Sequence, residues 1–294
     1  MFGSRGAAAA LVGVTAAWGS TFFLIKDLVE RMPVADFLAV RFAVAAVALA
    51  AINPRSLRRL SPVQRRRGIV LGLLYGLAQV GQTAGLQHTS AAVSGFVTGM
   101  YVVFTPLACA LLLRRPVTRA AWLAVAVSTA GLGLLSLRGF SLGYGEVLTL
   151  ASAGLYALHI VGLGNWSNSR DAYGLTLIQT VTIAAVCTAA SLPGGVTLPP
   201  DGGAWLGLLY TALVAGALAL LLQTWAQAHL PATRAAIIMT MEPVFAAAFA
   251  VVLGGEPVTW RMLAGGALIV AAMYVVELGP RQSADAQVPH VGPV

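Results

Sequence analysis

A carboxylate, Glu242, sits near the middle of the apolar stretch Met239–Thr259, MTMEPVFAAAFAVVLGGEPVT, with Pro243 directly after it. A charge at bilayer depth is costly, so an acid placed there points to function. Two chemistries suit it: carrying a proton, or engaging a cationic group of a substrate. Two structural roles compete with these, capping exposed backbone groups and pairing with Arg41. Pro243 disfavours helical geometry at Glu242 and removes a backbone donor, so a kink or break is expected there. Arg41 lies several residues into an apolar stretch of its own. Its planar guanidinium can hold a carboxylate in bidentate fashion, can reach outward to water, or can pair with Glu242. His159 is the one histidine in the middle of an apolar run, either a packed neutral ring or part of a polar site.

Further polar and aromatic side chains fall at helical spacing. Tyr75, Gln79 and Gln82 share one stretch, and Ser94, Thr98, Tyr101 and Thr105 another. Thr15, Trp18 and Phe22 share a third, with Ser20 and Thr21 beside them, while Tyr156 with His159, Gln179 and Tyr210 stand in three more. Lipid satisfies none of these groups, so their faces turn inward, either to bond helix to helix or to line a cavity. The combined aromatic and amide faces favour a cavity. The candidate substrate-contacting residues are Trp18, Ser20, Arg41, Tyr75, Gln79, Tyr101, Tyr156, His159, Gln179, Tyr210 and Glu242. The sequence holds no metal-ligand cluster, phosphate loop or nucleophile elbow, so neither a metal nor a cofactor is expected. An enzyme buried in the membrane would have only Glu242, Arg41 and His159 to work with, on separate spans.

The elements that must position these residues follow from composition. Of 294 residues 58% are hydrophobic and 10% charged, and Gly68–Leu113 and Gly202–Thr233 run without Asp, Glu, Lys or Arg. About 20 apolar residues cross a bilayer as a helix. The pattern predicts an all-α polytopic membrane protein with ten transmembrane helices, near 6–28, 34–52, 68–87, 90–113, 120–137, 146–165, 172–192, 203–228, 232–253 and 260–278. The first span could pass for a signal peptide, but its polar WGST interruption and its place in a repeat mark it as retained. Cys109 and Cys187 fall inside apolar spans and read as small packing residues.

That repeat shows when the chain is slid by 141 residues. Gly99–Thr118 then lies under the Glu242 stretch, with identities at Met100, Val103, Phe104, Leu112 and Pro116-Val117-Thr118, and Tyr101 stands opposite Glu242. LGLLY at Leu71–Tyr75 recurs at Leu206–Tyr210, His88 matches His229, and Ala126 and Ala130 match Ala267 and Ala271, a small-xxx-small pair suited to close packing. The shift drifts from 135 to 141, which places a few inserted residues in the eighth span. Two five-span halves, 1–140 and 141–278, are therefore expected, followed by a disordered cytoplasmic tail at 279–294. An odd span number makes the halves inverted. Loop charge agrees: the loop carrying Arg55, Arg58, Arg59, Arg65, Arg66 and Arg67 has a counterpart, PGGVTLPPDGG, with no basic residue. With both termini cytoplasmic, only Lys26, Arg31, Arg138 and Arg261 fall outside, as the positive-inside rule requires. The positive net charge thus speaks of topology and not of nucleic acid.

WGSTF at Trp18–Phe22, RF at Arg41–Phe42, GMYVVFTPL at Gly99–Leu107 and EPVFAAAFAVVLGGEPVT at Glu242–Thr259, on ten spans in two halves, resemble the EamA family of the drug/metabolite transporter (DMT) superfamily. The resemblance covers nearly the whole chain outside the tail, and its motifs, loose singly, are specific in combination. It implies transport of small metabolites, often export of amino acids or related compounds. One departure is Gly255–Glu256, where the first half has Arg114–Arg115; this loop glutamate reads as structural. The expectation is a secondary transporter in the cell membrane working by alternating access. A channel or a membrane-embedded enzyme without a transport role is the alternative. Expected partners are a small-molecule substrate, the lipid bilayer and, as an option left open, a second copy in a homodimer.

Overall fold

The computed structural model describes residues 3–89, 91–114, 116–136, 143–252 and 258–278, and every α, 3-10 or π element among them is helical, with no strand. The tail 279–294, the Gly255–Glu256 pair and Arg115 lie outside the described residues. Apolar runs of this length leave the backbone no partner but itself, and a helix satisfies it internally.

In chain order the helices are α1 Ser4–Gly19, α2 Phe22–Arg31, α3 Val34–Ile52, α4 Pro62–His88, α5 Ala91–Gly99, α6 Tyr101–Leu113 and α7 Arg119–Ser136. There follow α8 Tyr144–Trp166, α9 Ala172–Ser191, α10 Gly202–Ala212, α11 Ala219–Gln227, α12 Ala232–Met239, α13 Met241–Val252 and α14 Trp260–Leu278. Among the described residues six stretches are long and apolar enough to cross a membrane: Val34–Ile52, Pro62–His88, Tyr144–Trp166, Ala172–Ser191, Gly202–Gln227 and Ala232–Phe249. The bent α1–α2 pair makes a seventh, and Val97–Leu113, Arg119–Leu134 and Trp260–Val275 are shorter apolar helices. The molecule is a multi-pass helical membrane protein.

Local chemistry sets the helix ends. Ser61 Oγ accepts from Gln64 N at 3.2 Å with Pro62 in the first turn of α4, and Asp201 Oδ1 accepts from Ala204 N at 2.9 Å at the start of α10. The interruptions have causes too. Between α1 and α2, Ser20 Oγ donates to Ala17 O at 2.7 Å and Thr21 Oγ1 to Trp18 O at 2.8 Å, and the axis bends by about 40°. Between α12 and α13, Thr240 Oγ1 donates to Ile237 O at 2.6 Å. Hydroxyls that bond back in this way compete with the helical ladder. The break in this span thus falls at Thr240, two residues before the expected place, and Glu242 is helical. Pro243 sits in the first turn of α13, where its missing N–H costs no ladder bond.

Between α10 and α11 the chain takes a π-helical turn, Leu213–Leu218, in the span where the repeat shift drifts. A π turn takes up about one extra residue, so it accounts for only part of a drift from 135 to 141.

The first and second parts of the chain interlock. The helix α3 packs on α9, α4 on both α8 and α9, α1 on α11 and α13, and α7 on α14. Backbone approach is close at these crossings: a Cβ on Gly72 would stand 2.7 Å from Gln179 O, and one on Gly131 would stand 2.8 Å from Gly265 O. The α7–α14 seam therefore runs through Gly131 and Gly265. Ala126, Ala130, Ala267 and Ala271, the expected packing pair, stand on exposed faces.

Candidate functional site

A cavity of about 690 Å³ free of protein atoms, counted out to its mouth, lies among α1–α6, α8 and α11–α13. One stripe of α4 forms its long wall: Tyr75, Gln79, Gln82, Thr83 and Leu86, spaced so that all face one side of the helix. Trp18, Thr21, Phe22 and Ile25 come from α1, α2 and the bend between them, and Thr98 and Tyr101 from α5 and α6. The facing wall is Tyr156, His159 and Ile160 of α8, Gln223 of α11, Met239 of α12 and Glu242 of α13, and Arg41 of α3 lies at the deep end.

The polar lining is bonded into a directed chain. Arg41 Nη1 donates to Gln79 Oε1 at 3.4 Å, and Gln79 Nε2 to the Tyr156 hydroxyl at 2.6 Å. Tyr156 donates onward to Gln82 Oε1 at 2.7 Å, and Gln82 Nε2 to Thr98 Oγ1 at 2.9 Å. Four helices are held by one network, which fixes these side chains while leaving their apolar bodies against the cavity. Below the network the rings of Tyr75 and Tyr156 meet edge to face at 5.3 Å, and Tyr75 and His159 at 5.0 Å.

The two charges behave differently. Arg41 is 2% exposed; its Nε donates to Thr211 O at 3.1 Å, and its guanidinium lies 5.1 Å from the Phe42 ring centroid and 5.8 Å from that of Phe37. Thr211 O is a carbonyl just ahead of the π turn, and Trp18 Nε1 donates to Ala215 O within it at 2.8 Å. Two donors from the first part of the chain thus take up backbone acceptors in the irregular span of the second. Glu242 is 9% exposed, and among the described residues its carboxylate has neither an ion pair nor a hydrogen bond. The pairing of Arg41 with Glu242 considered from sequence is not formed. Gly19 makes room for the acid's backbone, since a Cβ there would stand 2.7 Å from Glu242 O.

Of the candidate residues, Trp18, Arg41, Tyr75, Gln79, Tyr101, Tyr156, His159 and Glu242 border the cavity. Ser20, Gln179 and Tyr210 do not, and each has a different task. Ser20 spends its proton on Ala17 O, so the Tyr210 hydroxyl donates to Ser20 Oγ at 2.7 Å and ties α10 to the α1–α2 bend. Gln179 bonds His159 Nε2 at 2.8 Å from behind. Tyr101 spends its hydroxyl on Met239 O, at 2.8 Å, and offers the cavity its ring. Gln223, which the sequence does not single out, is brought into the lining. Its signal is there in retrospect: Gln223 and Gln227 stand one helical turn apart in an otherwise apolar span.

Beyond Tyr75 the bundle is sealed by Leu71, Leu163 and Leu175, each 0% exposed, with Trp166 against them. The cavity extends the other way, toward Ile25 and Leu86. At that end Arg31 Nη2 meets Asp201 Oδ2 at 2.9 Å, and Thr197 N donates to Asp36 Oδ2 at 3.0 Å, so the 192–201 segment is tied across to α2 and α3. The Ala204 N–H, then Arg31, holds the Asp201 carboxyl below its ordinary range.

The model of the EamA-like transporter family matches this chain twice, over residues 5–137 and 143–278. A protein of Archaeoglobus fulgidus named as an uncharacterized transporter is 28% identical over 89% of this chain and 82% of its own length. The inner membrane transporter YedA of Escherichia coli, also named as uncharacterized, is 25% identical over 92% of this chain and 90% of its own. A protein of Streptantibioticus cattleyicolor named "Probable terminal-alkyne amino-acid exporter" is 32% identical over 36% of each chain. A solved crystal structure superposes with a TM-score of 0.76 over 92% of this chain and 96% of that one, at 20% identity, a likeness of fold.

Proposed function

We propose, from the premise that this chain belongs to the EamA-like transporter family, that it is a secondary transporter exporting a small metabolite, an amino acid or related compound, by alternating access. A transporter role, and not an enzymatic one, follows from that membership and from relatives named as transporters. The substrate, the direction and the cycle are the proposal. The observation that carries it is a cavity walled by both parts of the chain, sealed by leucines at one end and extending toward a pair of polar ties at the other. Such a site is what a rocking motion of two bundles can expose to either side in turn. The name of the Streptantibioticus relative supports amino acids and export.

In this reading α1 with α2, α5 with α6, α10 with α11, and α12 with α13 each make one span, giving ten. The double match of the family model and the inverted loop charges support two inverted five-span repeats with both termini cytoplasmic. The aromatic rings of Trp18, Tyr75, Tyr101 and Tyr156 embrace the body of the solute. Arg41, whose Nη2 makes no hydrogen bond among the described residues, takes a carboxylate, and Glu242 takes a cationic group or a proton. Ser20, Gln179 and Tyr210 position the lining. Counterflow in proteoliposomes loaded with unlabelled amino acids tests the reading: saturable exchange supports a carrier, whereas conductance without saturation makes it a channel.

A further inference from the structure

Among the described residues, three side chains bordering the cavity keep an acceptor that the protein does not satisfy. Gln223 is 1% exposed, and its Oε1 has no hydrogen-bond partner. Its orientation is forced by its neighbour. Gln227 Nε2 donates to Ile160 O at 2.9 Å, a carbonyl that can only accept, so Gln227 turns its own Oε1 to Gln223. Gln223 must answer with Nε2, at 3.1 Å, which leaves Oε1 as the idle atom. His159 follows the same logic. Gln179 Nε2 donates to Leu175 O at 3.2 Å, so Gln179 Oε1 accepts from His159 Nε2 at 2.8 Å. The neutral ring is left with a bare Nδ1, fully buried and without a partner. Glu242 is the third such group, a carboxylate with no donor among the described residues.

Idle buried acceptors are costly, and a native protein that keeps several around one cavity has a use for them. A primary ammonium brings three N–H donors, no acceptor and a positive charge to set against Glu242; a hydroxyl brings one donor, and a carboxylate none. We infer that the wall formed by Gln223, His159 and Glu242 selects solutes by a protonated primary amine, and that Gln223 is a specificity-determining residue of the cavity. The inference rests on the transport reading and narrows it: the amine, and not the side chain, is the recognised handle. A deaminated analogue leaves the three acceptors unpaired, and sites built to bond a particular group reject analogues lacking it far more strongly than they reject a change of bulk.

Counterflow with the full-length protein in proteoliposomes tests this with three solute sets matched in side chain: phenylalanine, leucine and alanine; their deaminated acids; and the corresponding decarboxylated amines. Exchange of the amino acids and amines with exclusion of the deaminated acids is the expected result. Equal exchange of the deaminated acids overturns the inference and leaves the transport reading standing; no exchange in any set overturns both. The variant Gln223→Met keeps the volume and removes the acceptor, and the preference for amine over deaminated acid should fall about tenfold. An unchanged ratio means that water alone satisfies Gln223 and sinks the assignment. Should Gln223→Met fail to fold, Glu242→Gln carries the same comparison, because it weakens the acceptor wall without touching Gln223; an undiminished preference there counts equally against the inference.

Discussion

Glu242 and Arg41 stand out in the sequence because a charge inside an apolar run is conspicuous, yet their relation to each other is visible only in three dimensions. Arg41 is bonded to Thr211 O and Gln79, and Glu242 is bonded to neither Arg41 nor any other described side chain. Their variants should therefore fail differently. Glu242→Gln strands no partner, so thermal stability in detergent should stay near that of the parent. If the acid carries a proton, accumulation driven by a pH gradient should collapse while exchange without a gradient persists. Normal pH-dependent accumulation in a stable Glu242→Gln protein removes the acid from coupling. Arg41→Leu, by contrast, leaves Thr211 O and Gln79 Oε1 without their donor, and a stability loss of about 1–3 kcal/mol is expected in thermal unfolding. Spacing alone does not tell Gln79 from Gln179. Both are mid-span amides on inward faces, but one borders the cavity and the other stands behind His159. Gln223 is missed for a related reason: Gln227 one turn on shares its face, but two spaced amides do not say whether that face meets a cavity or a neighbouring helix.

At the scale of elements, the helices are legible because hydropathy decides them, and their interruptions are not. Proline is the conspicuous breaker in the Glu242 stretch, yet Pro243 merely opens α13, while Thr240 ends the ladder before it. The π turn at Leu213–Leu218 has no comparable marker in the sequence, and Trp18 and Arg41 donate to carbonyls within it and just ahead of it. Crossings are equally hidden, because a glycine in a membrane helix looks the same wherever it faces. Gly72 and Gly154 separate the cases. A side chain on Gly72 meets Gln179 O at 2.7 Å, so Gly72→Leu must push α4 from α9, at a cost of about 1–3 kcal/mol or more. Gly154 of α8 has no atom within 4 Å of its added Cβ, and Gly154→Ala should unfold no earlier than the parent. Fluorescence-detected melting of the two variants makes the comparison; equal melting temperatures would contradict the α4–α9 packing.

For the whole molecule, the membrane class and the family are written in composition and motif, but the sidedness of the bundle rests on loop charge. The structure adds a geometric constraint that charge does not. Leu198, 57% exposed, stands in the 192–201 segment that Arg31 and Asp36 tie across to α2 and α3, at the end toward which the cavity extends. Arg59, in the basic connection between α3 and α4, ends the 3-10 turn Pro54–Arg59, which packs on α9 at the leucine-sealed end. If the halves are inverted repeats with both termini cytoplasmic, the two positions face opposite compartments. In a background lacking Cys109 and Cys187, Leu198→Cys should react with an impermeant maleimide added to intact cells, and Arg59→Cys should react only after permeabilisation. Neither change disturbs a tie, since Leu198 and Arg59 make no described side-chain hydrogen bond. Labelling of Arg59→Cys in intact cells with protection of Leu198→Cys would turn the molecule over in the membrane. The cavity would then open to the cytoplasm in this conformation. Labelling of both from one side would be worse for the proposal, because an odd number of spans between the matched loops is what makes the halves antiparallel, and alternating access by two mirrored bundles depends on that parity.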